Sequence, residues 1–322
     1  MNIFVTGASG FVGGAITEKL KDKHRVLAMA RSPVSQQKIE SLGVQALRCD
    51  LSSITAEHLK DTDIVIHAAA RAEDWGSYDQ FYQTNVTGTQ NMLKAAIESG
   101  VKRFIYVGTE AALFKGQELI NIDESYPYAF DSPYPYSKSK ALAEKMVLQA
   151  NGPRFETISL RPRMVWGPND QSILPAIIEM IKENSFVWVN NGAAKTSTTY
   201  IGNFVHAVEL ALEKGKSGEA YFITDTEISS IKNFFSQLIK TTGMDIPNRS
   251  LPSWLVRSSA YILDLTWRAL NKQTQVPISR MAAAMMSRTC TLNINKARND
   301  LAYEPHYTVK EGLKLTLQSK QV

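Results

Sequence analysis

The first half of the chain alternates short apolar runs of strand length with longer amphipathic stretches of helix length. The runs are apolar throughout, which is typical of parallel strands that are buried on both faces. They fall at residues 3–5, 25–30, 46–47, 64–66, 104–107 and 157–160. Apolar residues at helical spacing mark residues 13–20, 88–98 and 137–148 between them. The repeated order of strand, helix and strand predicts an α/β fold with a doubly wound parallel sheet.

The regular alternation ends after Arg161 and Pro162, where loops rich in Asn, Gly and Thr begin before a predicted helix at residues 204–212. No Ser/Gly linker separates the two halves, so we expect them to pack closely around a cleft. We predict a first domain at residues 1–165, to which residues 200–225 return, and a smaller, mainly substrate-binding region at residues 166–322. A cleft between such parts is a common location for a small-molecule site.

The composition is that of a packed globular protein without a dense charged tract. Of the 322 residues, 44% are hydrophobic, and 36 Lys and Arg against 31 Asp and Glu give a formal net charge of +5. Because the basic residues are scattered, we predict no nucleic-acid partner. The two cysteines, Cys49 and Cys290, are too few for a disulfide framework, and with five dispersed histidines they predict no metal site. We expect a reducing compartment, the cytoplasm.

No stretch of the sequence predicts a membrane-spanning helix. Residues 251–270 are the most apolar, but Arg257, Asp264 and Arg268 interrupt them, whereas a spanning helix needs about 20 nearly uncharged residues. Their spacing predicts an amphipathic helix instead. The first residues lead directly into an apolar run without the basic and apolar regions of a signal peptide, so we expect a protein that is not secreted.

A glycine-rich loop follows the first predicted strand. Its sequence, TGASGFVGG, has three glycines in the spacing GxxGxxG before a helix begins. Glycines allow the backbone to turn tightly and to approach a pyrophosphate, while the helix N-terminus offers unpaired N–H groups. An ordinary strand-to-helix turn is the alternative, but the position in the first βαβ unit favours a Rossmann dinucleotide site. The cofactor-binding residues would be Gly7, Ser9, Gly10, Phe11, Val12 and Gly13.

Side chains that follow the next strands would bind the rest of the cofactor. Arg31 and Ser32 suit the 2′-phosphate of NADP, because no acidic residue stands at that turn to bind a ribose hydroxyl. A solvated surface arginine, with NAD as the cofactor, is the alternative. Asp50 would lie at the adenine edge and Leu51 against the adenine face. We expect His67 to be structural. Small residues after it would let a cofactor lie close to the backbone, and these are Ala68, Ala69 and Ala70.

A tyrosine and a lysine four residues apart form the predicted catalytic pair. Tyr136 and Lys140 would lie on one face of a helix, one turn apart. A free phenol, with a pKa of about 10, exchanges protons poorly at neutral pH, and a nearby ammonium should lower that pKa. Tyr136 would then protonate a carbonyl oxygen or deprotonate an alcohol, while Lys140 would also hold the nicotinamide ribose. Tyr134 and Lys138 have the same spacing, and such a pair can also be ordinary helix surface.

Taken together, these motifs resemble the extended short-chain dehydrogenase/reductase family. The GxxGxxG loop, HxAA turn, YxxSKxxAE helix and RPxxxxGP segment of that family stand here in the same order. The resemblance selects Tyr136 and Lys140 as the catalytic pair. It also implies that Thr109 hydrogen-bonds the reacting oxygen, that Asn85 supports the site through backbone and water contacts, and that Pro162 belongs to the cofactor site. Without the resemblance, the threonine would be a strand-end hydroxyl and the asparagine a helix N-cap.

The last third of the chain points to one branch of that family. Residues 198–207 resemble the TYVxNxxHA segment of the 3β-hydroxysteroid dehydrogenase and sterol dehydrogenase branch. Residues 293–303 resemble the closing region of that branch, and residues 311–313 resemble its last helix. Nucleotide-sugar enzymes carry an Arg-Asp pair just before this segment, where this chain has Lys195-Thr196-Ser197. The resemblance implies an NAD(P)-dependent oxidoreductase that interconverts a secondary alcohol and a ketone by hydride transfer. The hydrophobic substrate would be a steroid, a sterol or a long-chain β-hydroxy or β-keto acid.

Two other functions stay open at this point. A nucleotide-sugar epimerase or dehydratase would retain its cofactor and use the same Tyr136 and Lys140, and a non-catalytic NADP-binding sensor would need only the phosphate loop. Residues 252–286 could cover the substrate, form ordinary core or, if their apolar face is exposed, make a peripheral contact with a membrane surface. Pairing of family members through two helices implies a homodimer, here through the helix from Gly88 and the one that carries Tyr136.

Overall fold

Fifteen strands occur in the described part of the chain, which comprises residues 1–270, 272, 274 and 276–319 of a computed structural model. In chain order they are β1 (Asn2–Thr6), β2 (Arg25–Ala30), β3 (Gln45–Arg48), β4 (Ile64–His67), β5 (Arg103–Val107), β6 (Leu119–Ile122), β7 (Glu156–Pro162), β8 (Val165–Trp166), β9 (Trp188–Val189), β10 (Lys195–Thr196), β11 (Thr199–Tyr200), β12 (Glu219–Ile223), β13 (Ser229–Ser230), β14 (Ser250–Leu251) and β15 (Cys290–Leu292).

Twelve α-helices accompany these strands within the same described residues. They are α1 (Phe11–Leu20), α2 (Pro33–Ser41), α3 (Tyr78–Phe81), α4 (Gly88–Ser99), α5 (Pro135–Gln149), α6 (Ile173–Lys182), α7 (Ile201–Ala211), α8 (Ile231–Lys240), α9 (Ser253–Ala269), α10 (Arg280–Ser287), α11 (Asn295–Leu301) and α12 (Val309–Gln318). Short 3-10 turns lie at Ala56–Leu59, Glu110–Leu113 and Asn190–Gly192, and a π-helical turn lies at Tyr82–Thr87.

The central sheet has seven parallel strands in the order β12-β7-β5-β4-β1-β2-β3. The chain adds β2 and β3 on one side of β1 and then returns to add the other four strands on the other side. The strand order therefore reverses between β1 and β4, where a crevice for ligands forms at the carboxyl ends of the strands. This sheet confirms the predicted fold class, and the six strands and three helices first predicted lie within two residues of their observed bounds.

The central strands are apolar throughout because they supply the core on both faces of the sheet. Phe4 and Phe104 belong to a cluster that includes side chains of α4 and α5. Their neighbours Val5 and Ile105 belong to a second cluster, with side chains of α1 and α7. Residues 200–225 contribute α7, which contacts α1, and β12, which pairs with β7. The division of the chain at residue 165 stays a prediction.

The later part of the chain forms smaller sheets and peripheral helices. Four strands make a second sheet in the order β13-β10-β15-β6, while β8 pairs with β11 and β9 with β14. The helix α9 confirms the amphipathic helix predicted at residues 251–270. Of the predicted region 252–286, residues 271, 273 and 275 lie outside the described residues, as do residues 320–322 at the end. None of the helices in the described ranges combines the length and the apolar character that a membrane crossing needs.

A buried carboxylate connects the edge of the central sheet to the smaller elements. Asp225, just after β12, is only 3% exposed. It accepts hydrogen bonds from the Tyr200 backbone N–H at 2.9 Å, Asn203 Nδ2 at 2.7 Å, Thr198 Oγ1 at 2.9 Å and Trp166 Nε1 at 3.2 Å. Burial raises the pKa of Asp225, and the hydrogen bond from the Tyr200 backbone opposes this rise. One side chain therefore holds β8, β11 and α7 against β12.

Replacement of this carboxylate tests its contribution to stability. In an Asp225→Asn variant the amide group turns a donor toward groups that are all donors, so at least one buried hydrogen bond is lost. We expect the free energy of unfolding, measured by chemical denaturation, to fall by about 2–4 kcal/mol. The exposed Asp245→Asn variant is the matched control and should change it by less than about 0.5 kcal/mol. Equal effects of the two substitutions would show that Asp225 is not such a connection.

Candidate active site

The glycine-rich loop after β1 packs its backbone directly against the loop after β4. Gly7 has a φ of +74°, and a Cβ atom on it would lie 2.8 Å from the Ala69 backbone nitrogen. A Cβ atom on Gly13 would lie 2.3 Å from the carbonyl oxygen of Gly7. Both positions therefore require glycine, because any side chain would clash with backbone that cannot move away.

The start of α1 has the features of an anion site. Gly10 is its N-cap, no side chain caps the helix, and its first turn contains no acidic residue. The first N–H groups of the helix and the positive end of its dipole are thus available to a phosphate group. The partly exposed side chains beside the loop are those of Ser9, Phe11 and Val12. Together with the close approach of Gly7, this loop fits the pyrophosphate of a dinucleotide.

The residues predicted to select the cofactor lie after β2 and β3. Arg31 is exposed, and Ser32 caps α2 by accepting a hydrogen bond from the Ser35 backbone N–H. Asp50 is held by local hydrogen bonds, chiefly from the Ser52 hydroxyl at 2.6 Å, which lower its pKa. Leu51 packs against Gly88 at the start of α4, where a Cβ atom would lie 2.7 Å from its side chain. Their roles toward a cofactor stay predictions.

The segment after β4 lines the crevice with small, partly exposed residues, which are Ala68, Ala69 and Ala70. His67, just before them, is buried between two threonines, with Nδ1 2.8 Å from Thr6 Oγ1 and Nε2 3.0 Å from Thr89 Oγ1. Burial lowers the pKa of His67 to about 3, and Lys140 adds to this, so the imidazole is neutral at physiological pH. His67 therefore has the structural role that the sequence predicts.

The tyrosine predicted to be catalytic lies in the first turn of α5. Tyr136 is partly buried, and its ring packs edge-on against Phe81 with a centroid distance of 6.4 Å. Burial raises the pKa of the Tyr136 phenol, Glu110 raises it further, and the side-chain hydrogen bond with Thr109 lowers it. The expectation that a nearby ammonium lowers this pKa is therefore wrong for this structure, because desolvation outweighs any stabilisation of the phenolate. The phenol is protonated at neutral pH.

Lys140 connects α5 to the end of β5. Its Nζ donates a hydrogen bond to the Val107 carbonyl oxygen at 2.8 Å and lies 4.1 Å from the centre of the Tyr106 ring. The residue is 3% exposed, and burial lowers its pKa to about 7, opposed by the charge of Glu144. Near neutral pH this lysine can gain or lose a proton with little free-energy change.

Tyr134 and Lys138 have the same sequence spacing, but α5 begins between them, and their side chains pack against different residues. Tyr134 is the N-cap residue of α5, buried and stacked on Phe114 with a centroid distance of 5.7 Å. Lys138 instead extends over the ring of Tyr78, 4.8 Å from its centre. These two side chains do not form a catalytic pair.

Thr109 belongs to a buried chain of hydrogen bonds that the sequence did not reveal. Its Oγ1 donates to Glu110 Oε2 at 2.9 Å and accepts from the Ala111 backbone N–H at 3.2 Å. Glu110 Oε1 in turn pairs with Arg163 Nη1, and Arg163 Nε donates to Thr196 Oγ1 at 3.0 Å. The remaining hydrogen bond of the Thr109 hydroxyl is the one that it shares with the Tyr136 phenol.

Asn85 is fixed in the π-helical turn between α3 and α4. Its Oδ1 accepts from the Arg71 backbone N–H at 2.7 Å, and its Nδ2 donates to the Arg71 carbonyl at 3.1 Å and to Ser139 Oγ at 3.0 Å. Asn85 is 1% exposed, so it positions the loop after β4 against α5 rather than capping a helix. π-helical turns occur often at functional sites.

A second buried ion pair lies on the other side of β5. Arg161 and Glu144 are paired with side-chain exposures of 2% and 0%, and the Tyr128 hydroxyl donates to Glu144 Oε1 at 2.9 Å. Pro162, next in the chain, ends β7 beside Ile223 of β12.

The sequence alone does not reveal that Glu110 pairs with Arg163, because the two residues are 53 positions apart. Each of them directly follows a predicted site residue, Thr109 or Pro162. No described group of three or more His, Cys, Asp and Glu side chains is arranged to hold a metal ion.

The crevice thus brings a dinucleotide loop together with Tyr136, Lys140, Thr109 and Asn85. This fold and the resemblance of the chain to known proteins define an NAD(P)-dependent oxidoreductase. The chain belongs to the 3-beta hydroxysteroid dehydrogenase/isomerase family, whose model matches residues 4–253.

Two similar proteins are reductases of ketones. A 4-hydroxy-2-methyl-3-oxo-4-farnesyl-3,4-dihydroquinoline-1-oxide ketoreductase from Stigmatella aurantiaca is 36% identical over 316 residues, which cover 97% of this chain and 95% of the relative. A 2-alkyl-3-oxoalkanoate reductase from Stenotrophomonas maltophilia is 33% identical over 325 residues, 98% of both chains. The fold is also that of UDP-glucuronic acid 4-epimerase from Bacillus cereus in complex with NAD, with a TM-score of 0.77, 22% identity and coverage of 100% and 99%.

Because burial lowers the pKa of Lys140, the free energy of unfolding should depend on pH. Lysine keeps a pKa of about 10.4 in the unfolded chain, so the penalty for a buried ammonium is complete below about pH 7 and disappears as the pH rises toward about 10. We expect Lys140→Met to raise the free energy of unfolding more at about pH 6 than at about pH 9, by about 2–3 kcal/mol. Chemical denaturation at the two pH values measures this difference.

The Lys138→Met variant is the control on the same helix. Its side chain is partly exposed, so its effect on stability should be equal at the two pH values. A stability gain of Lys140→Met that does not depend on pH would contradict the lowered pKa.

Proposed function

We propose that the chain is an NADP(H)-preferring ketoreductase that interconverts a ketone and a secondary alcohol on a hydrophobic substrate. The observation that carries this proposal is the position of Tyr136 in α5, where its phenol shares a hydrogen bond with Thr109 and Lys140 follows one helical turn later. The two relatives described above support a ketone as the reacting group, and their names describe a farnesylated quinoline oxide and 2-alkyl-3-oxoalkanoates. A steroid, a sterol or a long-chain β-keto acid would belong to the same substrate class.

Tyr136, Lys140 and Thr109 each have a separate role in the proposed reduction. Bound NADPH supplies the hydride that the ketone carbon receives. Tyr136 donates its phenolic proton to the ketone oxygen, which completes the alcohol. Lys140, whose pKa of about 7 lies near the working pH, is suited to favour the phenolate that Tyr136 then becomes. Thr109 shares a hydrogen bond with the Tyr136 phenol and is suited to hold it toward the reacting oxygen.

The positions that differ from nucleotide-sugar enzymes argue for this reading over an epimerase. Where those enzymes carry an Arg-Asp pair, Thr196 and Ser197 are each 1% exposed. Thr196 accepts from Arg163, and Ser197 Oγ accepts from the Leu292 backbone N–H at 3.1 Å. These side chains support the inner structure instead of presenting charge to a sugar nucleotide.

Loss of the phenolic proton should stop turnover without disturbing the fold. We expect Tyr136→Phe to lower kcat for NADPH-dependent reduction of long-chain 2-alkyl-3-oxo acids and steroid ketones by about 100-fold or more, with the Kd for NADPH changed by less than about threefold. Absorbance of NADPH measures turnover, and nicotinamide fluorescence measures binding.

The Tyr134→Phe variant is the matched control, since this tyrosine precedes the helix and should leave turnover unchanged. If NADPH is not oxidised with any such ketone while a UDP-sugar binds tightly, the epimerase is the better reading. Binding of NADPH without turnover of either substrate class would favour a sensor.

The preference for NADP over NAD rests on Arg31, exposed at the carboxyl end of β2. We expect wild-type protein to bind NADPH at least about tenfold more tightly than NADH, and Arg31→Asp to reverse this order. The control is Arg25→Asp, an exposed arginine at the opposite end of the same strand, which should keep the preference. Titrations followed by nicotinamide fluorescence give the dissociation constants. Equal affinities of wild-type protein for both cofactors would show that Arg31 does not select between them.

We also infer a homodimer and a cytoplasmic location. The dimer would form through α4 and α5, where Ile97 on α4 is 51% exposed. Both cysteines, Cys49 and Cys290, are free and buried, which suits a reducing compartment.

A further inference from the structure

Helix α9 exposes four large apolar side chains on one face. Trp254 is 67% exposed, Tyr261 48%, Ile262 62% and Leu265 49%. Spacings of seven, eight and eleven residues put the other three within about 80° of Trp254 around the helix axis. We call these four residues the α9 stripe. Contiguous exposed apolar surface of this kind marks interaction sites.

The opposite face of α9 is firmly packed, so the α9 stripe is not a displaced piece of core. Val256 and Ala260 are 4% and 0% exposed and share a cluster with Ala283 of α10. Asp264 is 4% exposed, receives a hydrogen bond from Trp75 Nε1 at 3.2 Å and pairs with Arg268 at 3.0 Å. The helix is therefore held in place by contacts that leave the stripe outside.

The charged side chains that α9 leaves exposed all have one sign. The only acidic side chain of α9 is Asp264, which is buried and paired with Arg268 and Arg280. The exposed charged side chains of the helix are Arg257 and Arg268, and the exposed Lys272 follows shortly after it. A positive rim around tryptophan, tyrosine and aliphatic side chains is the pattern of a helix that lies in the interface of an anionic bilayer.

The packed face of α9 borders the crevice. Asp74 Oδ2 accepts a hydrogen bond from Ser279 Oγ at 2.7 Å, and Trp75 Nε1 donates to Asp264, so both α9 and α10 are fastened to the loop that follows β4. The gap between these elements is lined by Tyr134 and Pro135, the residues that directly precede Tyr136. These contacts fix the orientation of α9, and the α9 stripe lies on the other face of the helix.

We propose that the α9 stripe docks the protein on an anionic lipid bilayer, with the helix parallel to the membrane plane. The apolar side chains enter the region between headgroups and acyl chains, and Arg257, Arg268 and Lys272 contact the phosphates. A second copy of the chain is a poorer occupant, because a symmetric contact would bring two sets of these basic residues together. This docking does not require the proposed activity.

Flotation of the purified full-length chain with lipid vesicles tests the docking surface. We expect wild-type protein to float with vesicles of phosphatidylcholine and phosphatidylglycerol, and much less with phosphatidylcholine alone. The bound fraction should fall as salt is raised, because the basic rim contributes through screened charges. The fluorescence of Trp254 should shift to shorter wavelength on binding, a change absent in Trp254→Phe.

Two triple variants separate the α9 stripe from general surface hydrophobicity. Trp254→Ser with Ile262→Ser and Leu265→Ser should weaken vesicle binding by roughly tenfold or more, because these side chains supply most of the inserted apolar area. The matched control replaces three exposed aliphatic side chains elsewhere, Ile120, Ile228 and Leu317, by serine and should bind like wild-type protein. All six side chains are exposed, and thermal unfolding of each variant checks that the fold is retained.

Three results would overturn the proposal: absence of flotation of wild-type protein, equal flotation of both triple variants, or a wild-type dimer that only the stripe variant turns into a monomer. The last result would assign the α9 stripe to a contact between copies. None of these measurements uses substrate or cofactor, so failure of the docking surface is distinct from failure of the ketoreductase activity.

Discussion

Charge buried at the carboxyl edge of the central sheet is the constraint on which the active site depends. An unpaired ion in such a place costs several kcal/mol, so each charge must have a fixed partner. Glu110 is fixed by Arg163 and in turn fixes the hydroxyl proton of Thr109, while Lys140 is directed to the Val107 carbonyl. Thr109 and Lys140 are therefore held in place by the contacts that satisfy these charges.

The topology of the sheet explains why so few elements suffice to build the site. The reversal of strand order between β1 and β4 brings the glycine loop against Ala68 and Ala69, and β5 carries Thr109 to the same edge. The π-helical turn and α5 then add Asn85 and Tyr136 from above the neighbouring strands. Side chains from five separate parts of the chain thus meet without long insertions.

The sequence predicts the parts of this arrangement that depend on local sterics or spacing. The glycine loop is recognisable because Gly7 and Gly13 tolerate no side chain, and Tyr136 and Lys140 are recognisable as a candidate pair because they share one helix. The raised pKa of Tyr136 is not predictable in this way, since it arises from burial and from Glu110, and both depend on the complete fold. For the same reason the pair of Glu110 and Arg163 is absent from any local pattern.

The π-helical turn at Tyr82–Thr87 also limits how this segment can change in length. A π turn holds one more residue than an α-helical turn, and one residue corresponds to about 100° of rotation around a helix axis. Deletion of a single residue would restore a regular helix but rotate either Asn85 away from Arg71 and Ser139, or Gly88 away from Leu51. In homologous chains that keep both contacts, we would therefore find substitutions in this turn but no gaps.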